Sequence, residues 1–268
     1  MLRNGLLKRM KETQMKVTFD KFYTNDDVAR ICVNNIDLSP YDLIIEPSAG
    51  GGSFSKLLNC ISYDIEPTSD GIIKQDFLTL GKPKCKNLLI IGNPPFGERS
   101  KLAKAFIKKS IEIGASTIAF ILPNTFNKLS NQKIFPVNWK LLKILPLNRD
   151  SFNINGTLYH VPCSFFVWSR TLEGLDLREK EITDFRDFEF LPRLSKEANF
   201  VLNGNSGKVR NPDMVTNPKS EHYIKGTEEV RNTLSSIPWE FNSSVNGGVA
   251  WIGKQDIIKQ YLNYLSKK

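Results

Sequence analysis

The run Leu88-Leu89-Ile90-Ile91 is apolar at every position and stops abruptly at Gly92-Asn93-Pro94-Pro95-Phe96-Gly97. A strand with one wet face alternates apolar and polar residues, so an uninterrupted run implies a strand covered on both faces, as in a parallel sheet flanked by helices. Proline cannot donate to a strand ladder, so Pro94 and Pro95 end the strand and stiffen the loop beyond its carboxyl end. Open α/β sheets bind their ligands at that end. The loop offers the Asn93 side-chain oxygen and the Pro94 carbonyl as two fixed acceptors, with the Phe96 ring beside them. That set suits an NH2 group on a flat heterocycle.

The segments around this run repeat the strand and loop pattern. Residues 41–45 form a short apolar strand that enters Glu46-Pro47-Ser48-Ala49-Gly50-Gly51-Gly52-Ser53-Phe54, with a helix expected over Ser53 to Leu58. Glycines between a strand and a helix let the backbone pass close to a ligand. The loop lacks the Gly-Lys-Ser ending of a phosphate-binding loop and its strand ends in an acid, which suits an ammonium group better than a phosphate. Further strands are expected over 60–64, ending in Asp64, over 72–78, carrying Asp76 and Phe77, and over 117–123, 141–145 and 161–168. Residues 100–114 read as an amphipathic helix with Leu102, Phe106, Ile107 and Ile111 on one stripe. Asn155-Gly156 signals a hairpin before the last strand, which is expected to close the sheet with one antiparallel member. Strands alternating with helices imply a doubly wound parallel sheet.

Asn93-Pro94-Pro95-Phe96 resembles the catalytic motif of S-adenosylmethionine-dependent methyltransferases that modify the exocyclic N6 of adenine in DNA. The resemblance implies a seven-stranded Rossmann-like sheet, and Asn93, Pro94, Pro95 and Phe96 as the catalytic set, with Phe96 stacking on a flipped base. Glu46-Pro47-x-x-Gly50-x-Gly52-x-Phe54 is similar to the cofactor motif of the same family. By that likeness Glu46, Pro47, Ser48, Gly50, Gly52 and Phe54 surround the methionine half of S-adenosylmethionine. Asp64 takes the ribose hydroxyls, Ile65 and Phe77 lie against the adenine, and Asp76 accepts from its amino group. Tyr23 and Thr24 resemble the segment that touches the methionine carboxylate, and Asn93 also borders the cofactor. A proline turn after a core strand is the plain alternative for the Asn93 loop alone. The order of five such segments at successive strand ends favours the methyltransferase reading.

On the substrate side, Phe152 and Tyr159 are candidates to pack on the flipped base, with core packing as the other reading. Residues 1–170 are assigned to the catalytic domain and 171–268 to a small α+β extension for target recognition. Within it Lys208 and Arg210, in a Gly/Asn-rich stretch, are candidates for phosphate contact, a mobile surface loop being the alternative.

Charge bears on the partner. The net charge is +9, and residues 1–170 hold 23 Lys and Arg against 14 acids while residues 171–268 hold 14 against 14. The excess sits with the catalytic domain, as a polyanion-binding face would require. Four separated cysteines and two histidines offer no zinc-ligand pattern, so no metal is expected and the cysteines read as reduced. No apolar run approaches the ~20 residues of a membrane span, and residues 1–16 lack the apolar core of a secretory signal, so the expected location is cytoplasmic. The same motif serves methyltransferases of RNA adenine and of glutamine side chains in release factors, and a catalytically inactive nucleic-acid binder would keep the fold. DNA is the expected partner, with RNA next.

Overall fold

The computed structural model describes residues 23–148, 152–154, 157–159, 161–241 and 250–267. Residues 1–16, in which the sequence shows no apolar signal core, lie outside these. The described chain divides into two compact units that meet at Arg178 and Glu179.

The first unit is organised by strands β1 (Tyr23–Thr24), β2 (Leu43–Glu46), β3 (Ile61–Asp64), β4 (Ile73–Lys74), β5 (Leu88–Gly92), β6 (Thr117–Pro123), β7 (Lys140–Pro146), β8 (Phe152–Ile154), β9 (Thr157–Tyr159) and β10 (Cys163–Ser169). Its helices are α1 (Asp26–Val33), α2 (Lys101–Glu112) and the single turn α3 (Leu129–Gln132). Seven strands form one sheet in the order β4-β3-β2-β5-β6-β10-β7. Neighbours from β4 to β6 are parallel, while β10 runs antiparallel to both β6 and β7. This is the expected doubly wound, Rossmann-like sheet.

β5 explains why the sheet has two cores. Leu88 and Ile90 face one cluster with Phe106, Ile118, Phe120 and Trp168, and Leu89 and Ile91 face another with Phe54, Ala119, Ile121 and Phe165. Successive strand residues point to opposite faces, so a continuously apolar strand must be covered twice. α2 supplies Ala103, Phe106 and Ile107 to the first cluster, and α1 supplies Val28, Ala29 and Cys32 to the second. α1 starts at a capped end: the Asn25 side chain accepts from the Asp27 amide at 3.0 Å, and Asp26 and Asp27 occupy its first turn.

Three expectations are corrected here. Residues 53–58 form successive turns rather than a helix: only six residues separate Phe54 from β3, and hydroxyls bind locally, Ser55 Oγ to the Gly52 carbonyl among them. The strand expected over 72–78 is cut to Ile73–Lys74, since the Asp76 side chain accepts from the Leu78 amide and starts a 3-10 turn over Phe77–Thr79. The hairpin β8–β9 forms, but it pairs with β1 in a separate three-stranded sheet and not with the main one. All four cysteines are free.

The unit also runs on past Arg170. The Leu177 amide donates to the Leu141 carbonyl at 2.8 Å, Asp176 accepts from the Leu141 amide at 2.9 Å, and the Arg178 guanidinium lies 5.0 Å from the Trp168 ring centroid. These bonds tie residues 171–178 to β7 and β10.

The second unit holds β11 (Phe188–Leu191), β12 (Phe200–Asn203), β13 (Val209–Arg210) and β14 (Glu221–Gly226) in an antiparallel sheet ordered β11-β14-β12-β13, with α4 (Glu228–Ser236) and α5 (Lys254–Leu265). Phe188, Phe200, Leu202, Ile224, Leu234, Ile257 and Tyr261 share one core. The polar stretch 203–207 is a braced turn: the Asn203 side-chain oxygen accepts from the Asn205 and Ser206 amides and from the Ser206 hydroxyl. Trp251 packs against Gly204 and Trp239 against Gly207, so closely that a Cβ at either glycine would overlap the indole.

Candidate active site

β2 and β5 are direct neighbours, with Ile45 opposite Ile90, so the loops leaving their carboxyl ends lie side by side. The glycine loop and the Asn93 loop open into one pocket of about 290 Å3, solvent-facing mouth included, bordered by Thr24, Glu46, Ser48, Gly50, Phe54 and Asn93. The Ser48 hydroxyl donates to the Asn93 backbone carbonyl at 3.0 Å and joins the two loops. Pro47 and Pro94 are buried behind them and Pro95 is half-buried. The Ser53 hydroxyl donates to the Thr24 carbonyl at 2.7 Å, which carries β1 to the rim.

Glu46 is the unusual group. It is 2% exposed, and its Oε2 accepts from the Ser62 hydroxyl at 3.3 Å. Burial, partly offset by hydrogen bonds from Ser62 and Ser55, pushes its carboxyl up to about 8. A buried carboxyl at a pocket wall is stabilised as an anion by a cation placed there, so the site accepts an ammonium group.

Asp64 ends β3 as expected, and its two oxygens accept from the Gly50 amide at 2.8 Å and the Glu66 amide at 2.8 Å. Each carboxylate oxygen has a second lone pair, so the ribose role remains chemically open to it. Ile65, next along, is 61% exposed at this rim. Asp76 is exposed at the end of β4, where its side chain caps the following turn. A buried carboxyl on the pocket wall and a carboxylate with free lone pairs beside the glycine loop form a set that a ligand bearing an ammonium and hydroxyls would fit.

Two rings are not where the sequence reading puts them. Phe77 is 1% exposed and stacks on Phe106 in the first core cluster, at 5.3 Å between centroids, so it presents no face to an adenine. Phe96 is 7% exposed and packs into the second cluster with Phe54 and Ile91, so in this conformation it offers no open face to a base. In both cases the segment is short and the apolar ring gains more from the adjacent core than from water. By strand register Phe152 lies opposite Thr24, and Tyr159 opposite Phe152, which brings the hairpin backbone to the rim of the pocket.

In the second unit Arg210 is committed elsewhere. Its Nη2 lies 3.2 Å from Oε1 of the buried Glu221, which also accepts from the Asn203 side-chain amide at 2.8 Å. The pair is structural, which corrects the phosphate role expected of Arg210. Lys208 is exposed.

Several site residues escape the sequence reading. Ser62 sits directly opposite Glu46 in the β2–β3 register, and a polar residue in a buried strand beside an acid is a signal that could have found it. Thr68 and Ser69 donate their hydroxyls to the Gly50 and Gly51 carbonyls at 3.0 and 2.9 Å and brace the glycine loop. Nothing in the sequence names those acceptors.

Strand order and pocket together make a Rossmann-like sheet with an opening at the carboxyl ends of its central strands. Residues 38–164 match the family model of the EDM2 methyltransferase-like domain. Over 200 residues, 68% of this chain, the sequence is 25% identical to Protein ENHANCED DOWNY MILDEW 2 of Arabidopsis thaliana, and the chain spans 15% of that protein's length. Among solved structures, magnesium protoporphyrin IX methyltransferase from Synechocystis PCC 6803 with bound SAM is 16% identical with a TM-score of 0.38, covering 55% of this chain and 77% of its own. A type I restriction enzyme modification subunit from Vibrio vulnificus is 13% identical with a TM-score of 0.43, covering 95% of this chain and 63% of its own. The fold assignment itself rests on strand order and direction. Among the described residues no helix is long and apolar enough to cross a membrane, and no group of three or more His, Cys, Asp or Glu is placed to hold a metal ion.

Proposed function

We propose that this chain transfers a methyl group from S-adenosylmethionine to the exocyclic N6 of adenine in DNA. The observation that carries the reading is a juxtaposition: Asn93, an amine acceptor on a proline-stiffened loop, borders the same pocket as the buried Glu46 and the glycine loop. Bound there, S-adenosylmethionine supplies an electrophilic methyl group. Glu46 binds its ammonium, the glycine loop passes along its methionine half, and Asp64 receives its ribose hydroxyls.

The chain's own part in the reaction is positioning. The Asn93 side-chain oxygen and the Pro94 carbonyl accept the two amine hydrogens, orient the nitrogen lone pair toward the cofactor side and stabilise the positive charge that develops on nitrogen. The amine then loses its extra proton, with no dedicated base required. With Phe96 turned into the core, the hairpin residues Phe152 and Tyr159 are the candidates to flank an extruded base.

The test is methyl transfer from labelled cofactor to duplex DNA, single-stranded DNA, RNA and a release-factor protein in parallel, with Asn93→Ala as control. N6-methyladenine in DNA that disappears in the variant supports the reading. Label confined to RNA or protein reassigns the substrate, and cofactor binding without transfer to any of the four supports an inactive binder.

A further inference from the structure

The segment just after the Asn93 motif has an uncommon backbone. Gly97, Arg99 and Ser100 take φ of 66°, 52° and 60°. Glycine visits this left-handed region freely, whereas arginine and serine are rarely found there, and such conformations persist only where the surroundings over-determine them. The surroundings do so here. A Cβ on Gly97 would lie 2.8 Å from Leu102 Cγ, the Ser100 amide donates to the Gly97 carbonyl at 3.1 Å, and the Ala103 amide donates to the Phe96 carbonyl at 3.3 Å. Arg99 is thus held on a preset turn six positions beyond Asn93. It is exposed, and it has no acidic partner among the described residues.

Charge around the sheet's carboxyl edge is segregated in the same sense. At the carboxyl ends of β2, β3 and β4 and just beyond lie Glu46, Asp64, Glu66, Asp70 and Asp76, which suits a cationic cofactor; the lysines of these connections, Lys56, Lys82, Lys84 and Lys86, come later along them. The segment after β5 carries Arg99, then Lys101, Lys104, Lys108 and Lys109 on α2, against Glu98 and Glu112, the last of which pairs with Lys109 at 2.8 Å. α2 opens on Lys101 with no acid in its first turn, the reverse of what the helix dipole favours. A guanidinium on a preset turn beside the Asn93 loop, without an acidic partner among the described residues, calls for an anion that arrives with the amine.

We propose that Arg99 is a substrate-binding residue that contacts a backbone phosphate next to the target nucleotide, and so selects polynucleotides over amide-bearing proteins. The proposal rests on the amino-methyltransferase reading above. Guanidinium suits the task because its planar fork meets a phosphate with two hydrogen bonds.

The experiment measures affinity of the full chain for a defined adenine-containing duplex, its single strand and the RNA counterpart across a salt series, with cofactor affinity measured alongside. Arg99→Ala is expected to weaken polynucleotide binding about tenfold and to reduce the salt slope by about one, since one phosphate contact is lost. Arg99→Lys should keep the slope. Arg99→Gly, which tolerates φ of 52°, should behave as Arg99→Ala, separating the lost charge from the backbone. Cofactor affinity should be unchanged in all three. A slope in Arg99→Ala equal to that of the wild type, or wild-type chain that binds none of the three polynucleotides, overturns the proposal. Wild-type methyl transfer to protein alone overturns the substrate reading as well, so the two failures are distinguishable.

Discussion

Glu46 carries the strongest electrostatic signature of any single residue at the site. The folded protein holds a proton on it up to about pH 8, whereas the unfolded chain releases that proton near 4.5. Between those values the native state binds the extra proton, so stability falls as pH rises, by up to about 1.4 kcal/mol per pH unit. Urea unfolding of the cofactor-free protein from pH 5 to 8.5 should show this decline, and Glu46→Gln should flatten it. A wild-type curve as flat as the variant's contradicts a buried, protonated Glu46. The same proton competes with the ammonium of the cofactor. Cofactor affinity measured by calorimetry should therefore strengthen as pH rises toward 8, with protons released on binding, and Glu46→Gln should remove that dependence.

At the scale of elements, the loops carry the function and the strands set their positions. Gly97 fixes the loop that follows the Asn93 motif, with φ of 66° and a Cβ that would overlap Leu102. Gly97→Ala should lower stability by roughly 1–3 kcal/mol in urea titration and should reduce methyl transfer more than cofactor affinity, because it moves the Asn93 side of the pocket. In the second unit Gly207→Ala must displace Trp239, and the emission of that tryptophan should shift while transfer chemistry at Asn93 persists at saturating substrate. The strands were the legible part of this chain: six strands that run one way and one that runs against them follow from apolar runs and their punctuation. What the sequence did not reveal is where rings turn. Phe77 and Phe96 sit at loop starts beside two large cores, and whether such a ring faces the core or a ligand depends on packing across the sheet, which no local pattern encodes. Arg210 was misread for the same reason. Its partner Glu221 is eleven residues away in sequence and meets it only through the antiparallel sheet.

For the whole molecule, the charge excess and the site agree. The first 170 residues hold the entire net charge of +9, so polynucleotide affinity should fall steeply and linearly on a log scale as salt rises, while cofactor affinity, set by buried groups, should change little. The domain order was legible as a change in composition, but the first unit continues to Arg178 because residues 176–178 bond back to Leu141 and Trp139. The central claim is that Asn93 presents an adenine amine to a cofactor held by the glycine loop. Its most direct test is nucleoside analysis of duplex DNA after incubation with labelled S-adenosylmethionine and either wild-type protein or Asn93→Ala, with cofactor binding checked in both. The account predicts N6-methyladenine with the wild type, none with Asn93→Ala, and cofactor affinity within a few-fold of wild type in the variant. Equal methylation by both proteins, or none by a wild type that binds cofactor, would contradict it.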